Sequence, residues 1–183
     1  MIYYEDDSIK IRDLLNEDVI NLFSCRIDRE LNLHDPRPIP NTSKELLNEC
    51  KDYCNRFDTE IMNENTEDRK YKYFIITNKD NNFIGFVNFF SINKEKKQGE
   101  MGVTIGDKRY FRKGIAYTAI NAVVKFIFEN MDINRIYIET GETNKAALGL
   151  FDKLGFKKRG EYLEDDNFKF IIIEKLRSLE SYN

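Results

Sequence analysis

Residues 105–128, IGDKRYFRKGIAYTAINAVVKFIF, set five basic or aromatic side chains, Lys108 to Arg112, before a long apolar-periodic segment. A helix start carries unpaired N–H groups and roughly half a positive charge, so it attracts anions before any side chain contributes. Gly114 allows close approach of backbone to a ligand, Ala116 keeps the next turn slim, and Arg109, Arg112 and Lys113 can neutralise phosphates from the side. The spacing suits a diphosphate. Neither G-x-x-x-x-G-K-[ST] nor G-x-G-x-x-G occurs, so a nucleotide held by those loops is disfavoured.

Two strand carboxylates, Glu100 and Glu139, are the candidate general bases, acting directly or through water. Cys50 and Cys54 share a helix face, but the one histidine, His34, lies elsewhere and no second pair completes a metal set, so no metal is expected.

These groups need strands and helices to position them. Ser8 to Arg12 alternates as a half-buried strand, and Asn16-Glu-Asp18 opens a helix expected to run to about Glu30. All three prolines fall in His34 to Pro40, which marks an irregular loop. Thr42 and Glu45 form a capping box for a helix reaching about Asn63. Tyr73 to Thr77 and Asn82 to Phe90 read as a hairpin. A third strand, Gly99 to Ile105, sets Met101, Val103 and Ile105 on one face. The helix after Gly114 presents Ile115, Ala119, Ile120, Val123, Val124, Ile127 and Phe128. Arg135 to Thr140 is strand-like, Asn144 to Leu154 is helical and closed by Gly155, and Phe156 to Leu163 and Phe168 to Lys175 supply two last strands. The class is mixed α/β.

At 183 residues, 41% of them hydrophobic, residues 1–183 are expected to form a single domain. A net charge of -3 argues against a nucleic-acid partner. The acidic start and the lack of a long apolar run point to a cytoplasmic protein without a membrane partner.

The series GEMGVTIGDKRYFRKGIAYTAI and INRIYIETGETNKAALGLFDKLGF resembles the GNAT superfamily of N-acetyltransferases, in the style of its RimJ/RimL branch. The likeness is best from Phe83 to Phe156, with Ile9 to Arg12 consistent with the family's first strand. It implies a mixed, mostly antiparallel seven-stranded sheet with splayed central strands flanked by helices. It also implies acetyl-CoA as co-substrate, an amine acceptor (a protein N-terminus or a small amine such as a polyamine) and direct attack in a ternary complex. The expected assembly is a monomer or homodimer.

The family's diphosphate loop maps onto Arg112, Lys113, Gly114, Ile115, Ala116 and Tyr117, with Phe111 where Gln or Arg is usual. Its pantetheine arm would pair with the backbone of Val103, Thr104 and Ile105, and one of those amides would serve as oxyanion donor. Asn144 matches an asparagine that contacts the arm, and can equally be a helix N-cap. Phe151 stands in a cofactor-side slot where many relatives carry a proton-donating tyrosine. A phenyl ring donates no proton, which motivates the competing reading of a non-catalytic acyl-CoA-binding or sensing module. His34, Asp35 and Arg37, with Glu161, Glu164, Asp165 and Asp166, are expected near the acceptor pocket. At pH 7 neutralising an α-amino group costs about 1.4 kcal/mol and a lysine-like amine about 4.6 kcal/mol, so the second demands a base more urgently.

Overall fold

The computed structural model describes residues 1–62, 70–164 and 168–178. Eight strands build one sheet: β1 (Ile2–Glu5), β2 (Lys10–Asp13), β3 (Tyr71–Thr77), β4 (Phe83–Asn93), β5 (Gln98–Ile105), β6 (Arg135–Gly141), β7 (Lys157–Glu164) and β8 (Phe168–Leu176). They lie in chain order except that β8 inserts between β6 and β7. All neighbours are antiparallel except β5 and β6, which run parallel.

The eighth strand corrects the expected seven. β1 is a four-residue edge strand whose alternation is too short to stand out. Packing fixes it instead, because the Tyr3 ring meets Phe74 at 4.8 Å and Phe126 at 4.7 Å, both edge-on.

Four α-helices cover the two faces: α1 (Val19–Ile27), α2 (Ser43–Arg56), α3 (Ile115–Asn130) and α4 (Lys145–Lys153). On one face α3 buries Ile115, Ala119, Ile120, Val123, Val124 and Ile127 in the same core as Met101, Ile136 and Ile138, so the expected apolar stripe is the buried one. On the other, Leu22 from α1 and Tyr53 from α2 pack with Phe57 and Ile75.

The α2 start is the expected capping box: Thr42 Oγ1 accepts the Glu45 N–H at 3.2 Å and the Glu45 carboxylate accepts the Thr42 N–H at 3.3 Å. The α1 helix ends at Ile27, short of the expected Glu30. Asp28 Oδ1 accepts the N–H groups of Glu30 at 2.9 Å and Leu31 at 3.0 Å, giving the backbone a turn in place of another helical bond. Asn32 then donates to the carbonyls of Cys25 and Asp28 at 2.9 and 2.7 Å, satisfying acceptors that the ended helix leaves open. Asn63, the expected end of the second helix, lies outside the described residues, as do Asp165 and Asp166.

Candidate active site

Strands β5 and β6 run together over only three pairs, Gln98 with Arg135, Gly99 with Ile136 and Glu100 with Tyr137. Beyond them Met101 to Ile105 stays paired to β4, and Ile138 to Gly141 stays paired to β8. The two strands therefore part, each held by its outer neighbour. At the root of the opening Gly99 sits over the buried Phe89 ring, where an added Cβ would come within 2.2 Å of it.

A cleft of about 1080 Å³ occupies this opening. Its walls are Met101 to Thr104 on β5, Ile138 to Gly141 on β6, and Asn144, Ala147 and Phe151 at α4. Opposite lie His34, Asp35 and Arg37 of the proline loop, which reaches the site as expected. The His34 ring nitrogen Nδ1 lies 2.9 Å from Thr143 Oγ1, tying that loop to the turn before α4. Glu164 also lines the cleft, whereas Glu161 lies in a second cavity beside α4.

Register places Glu100 and Glu139 on one face of the sheet, both lining the cleft. Glu100 is half-buried; desolvation, and then the charge of Glu139, push its carboxyl up to about 7. Glu139 accepts a 2.6 Å hydrogen bond from the Tyr162 hydroxyl, whose ring stacks on Phe170 at 5.2 Å. Tyr162 was not singled out in the sequence. Its partner is two strands away across β8, so no local sequence pattern signals the contact.

The turn into α3 lies past the end of β5, and its residues 112–117 do not line the cleft. Gly114 is the N-cap, with φ +79°, and Arg112 also takes a left-handed φ of +59°. Non-glycine residues seldom adopt this conformation, and such turns form anion-binding concavities of backbone N–H groups. The amides of Arg112, Lys113, Gly114, Ile115, Ala116 and Tyr117 donate to no protein acceptor among the described residues, and the first bond back into the helix is Thr118 N–H to Gly114 O at 3.1 Å.

The basic cluster splits in two. Arg112 and Lys113 have no ion-pair partner among the described residues, although Lys113 lies 5.5 Å over the Tyr110 ring. Lys108 is held by Glu30 at 2.6 Å and Asp28 at 3.3 Å, and Arg109 by Asp107 at 2.6 Å. Arg109 is thus committed within the loop, against the expectation that it stands free for phosphate.

Asn144 caps α4, its side-chain oxygen accepting the Ala147 N–H at 3.2 Å; its backbone N–H donates to Gly141 O at 2.9 Å, while its side-chain NH2 has no protein acceptor among the described residues. Phe151 is 2% exposed and packs edge-on against Phe156, yet it touches the cleft floor.

An acetyltransferase (GNAT) domain family model matches residues 9–157. The spermidine N(1)-acetyltransferase of Vibrio cholerae is 26% identical over 58% of the chain and 61% of that protein. The chain spans between 52% and 61% of the length of the first curated relatives it matches. In structure, the Vibrio cholerae spermidine N-acetyltransferase in complex with CoA and spermine superposes with a TM-score of 0.75 at 18% identity, covering 93% of this chain and 96% of that one. The RimL ribosomal L7/L12 alpha-N-protein acetyltransferase in complex with coenzyme A also gives 0.75, at 17% identity, covering 96% and 98%. Those two share this fold, and because the domain match runs from β2 through the parted strands to the start of β7, the chain belongs to the GNAT acetyltransferase family.

Proposed function

We propose that residues 1–183 form a single acetyl-CoA-dependent N-acetyltransferase domain of the RimJ/RimL kind, moving an acetyl group to a primary amine. The observation that carries this is the opening after Glu100 and Tyr137, with a row of unpaired amides at the α3 start beyond it. The residues present fit the cofactor. The amides of Arg112 to Tyr117, with the free charges of Arg112 and Lys113, would hold a diphosphate. The β5 edge at Val103, Thr104 and Ile105, and the side-chain NH2 of Asn144, would hold the pantetheine arm, with Phe151 as its apolar floor. When bound, acetyl-CoA supplies an activated acyl group and a thiolate leaving group.

The chain's own residues do the rest. Glu100, raised to about 7, lies roughly one unit below an α-amino group and three below a lysine-like amine. It can take the ammonium proton at an oxygen facing the cleft, leaving the electron pair on nitrogen for attack. As the C–N bond forms, a β5 amide would stabilise the oxyanion; as the C–S bond breaks, the attacking nitrogen would release its surplus proton to water and the thiolate would take one from water, leaving an N-acetyl amine and a free thiol. Thiols are acidic enough, at ~8.5, for that last step to proceed without a tyrosine at Phe151.

The acceptor is a protein N-terminus or a small amine such as a polyamine. The relatives that act on spermidine and on the N-terminus of ribosomal L7/L12 support both classes. The competing reading, a non-catalytic acyl-CoA sensor, draws on Phe151 and predicts binding without turnover. Thiol release from acetyl-CoA, measured across polyamines, amino acids and N-terminal peptides, tests the proposal. Turnover with at least one amine is expected. Cofactor binding by calorimetry with silence across the panel would favour the sensor, and absence of binding heat would overturn both.

A further inference from the structure

Two like carboxylates face one cleft, and a single hydroxyl distinguishes them. Tyr162 donates to Glu139 at 2.6 Å, and no donor reaches Glu100 among the described residues. The tyrosine is placed by sheet geometry. It is registered with Phe170 on β8, Phe170 is registered with Gly141 on β6, and the Tyr162 ring lies flat on Phe170 at 20°. A hydrogen bond donated to a carboxylate favours its ionised form, so it biases which member of a close pair stays charged.

We propose, on the acetyltransferase reading above, that Tyr162 is a positioning residue that assigns different tasks to the two carboxylates. Its hydroxyl anchors the Glu139 carboxylate as the partner of the incoming ammonium, and leaves Glu100, which has no such donor among the described residues, as the group that takes the proton. In that step an ammonium N–H bond breaks, the proton passes to a Glu100 oxygen, and the electron pair stays on nitrogen.

Among the described residues no protein cation forms an ion pair with Glu100 or Glu139. Tyr137 on β6, Tyr71 and Tyr73 on β3, and Glu164 on β7 bring no positive charge to the cleft. Of the cations lining the cleft, Arg37 pairs with Asp35 at 3.2 Å and Arg26 is committed to Glu49, while Arg56 makes no ion pair with either carboxylate. His34 is engaged with Thr143, and Glu60 pairs with Lys70 at 2.8 Å. The raised Glu100 carboxyl agrees with a proton residing there near neutrality.

Tyr162→Phe keeps the ring over Phe170 and deletes only the donor. In ¹³C NMR of the glutamate carboxyl groups of the full chain, assigned with Glu100→Gln, the Glu100 midpoint should fall by at least ~0.5 unit as the like charge beside it loses its anchor. Glu139→Gln removes the like charge and should lower the same midpoint, which shows that the signal senses the pair. The acid limb of kcat/KM should move down with it, and KM for the amine should rise several-fold while KM for acetyl-CoA holds. A Glu100 midpoint unmoved by Tyr162→Phe would reduce Tyr162 to packing and overturn the proposal. A wild-type chain that turns over no amine would sink the acetyltransferase reading alone, since the titration decides this one independently.

Discussion

Glu100 and Tyr137 form the last registered pair between β5 and β6, and past them the strands diverge. The half-buried carboxylate therefore sits where the sheet stops being continuous, on the wall of the cleft. Its position and its raised proton affinity have one cause: desolvation at the root of the parting, reinforced by Glu139 across it.

Glu100 should cost stability above neutrality. Its folded-state affinity for a proton exceeds the usual value of 4.5, so the folded chain binds the extra proton between 4.5 and about 7. Stability from this group is full below that window and is lost as pH rises through it. Glu100→Gln should stabilise the chain at pH 8 by on the order of 1 to 2 kcal/mol after solvent screening, and by nearly nothing at pH 4.5. Denaturant titrations at the two pH values check this, and turnover should fall at least ~10-fold if Glu100 is the base.

Gly114→Glu should abolish coenzyme A binding while the chain stays folded. No atom lies within 4 Å of an added Cβ, so the stability loss comes from the left-handed φ of +79° alone, about 1 kcal/mol. The new charge would face the anion-binding amides. Calorimetry should show affinity reduced more than ~100-fold; unchanged affinity would mean that the diphosphate lies elsewhere.

The basic residues of the loop should separate by experiment as they do in space. Arg112→Gln and Lys113→Gln should each weaken coenzyme A binding by ~5- to 10-fold and flatten its salt dependence. Lys108→Gln should leave it within about 2-fold, because that ammonium is already engaged by Glu30 and Asp28. Equal effects at all three positions would rule out the division.

Arg12→Ala tests the ion pair that ties β2 to the turn before α1. The guanidinium meets both Asp18 oxygens, at 2.7 and 2.9 Å, and Asp18 is 2% exposed. Removing the cation leaves a buried carboxylate without its counter-ion, which should cost about 3 kcal/mol in urea unfolding at pH 7. Arg12→Ala with Asp18→Asn should recover part of that loss.

The α3 mouth was legible in the sequence because small residues at fixed spacing mark backbone that must stay open, and the expected helix start coincides with Gly114. The apolar face of Met101 was legible because a strand alternates strictly. What could not be read was interaction across the sheet. The clamp of Lys108 on Glu30 and the reach of Tyr162 to Glu139 depend on register and strand order. One miss was local: the carboxylate of Asp107 stands two residues before Arg109 and takes its guanidinium. The α1 end at Ile27 was similarly signalled by Asp28, whose side chain competes for the backbone over a distance of two residues.

The insertion of β8 between β6 and β7 sets an order of events in synthesis. β7 leaves the ribosome first, yet β8, its one neighbour in the sheet among the described residues, emerges after it. The nascent chain therefore carries one bare ribbon, and β6 one bare margin, until Leu176 has cleared the exit tunnel. Only then can Tyr162 be brought beside Glu139, because the strand that lies between them is the last of the described strands to emerge.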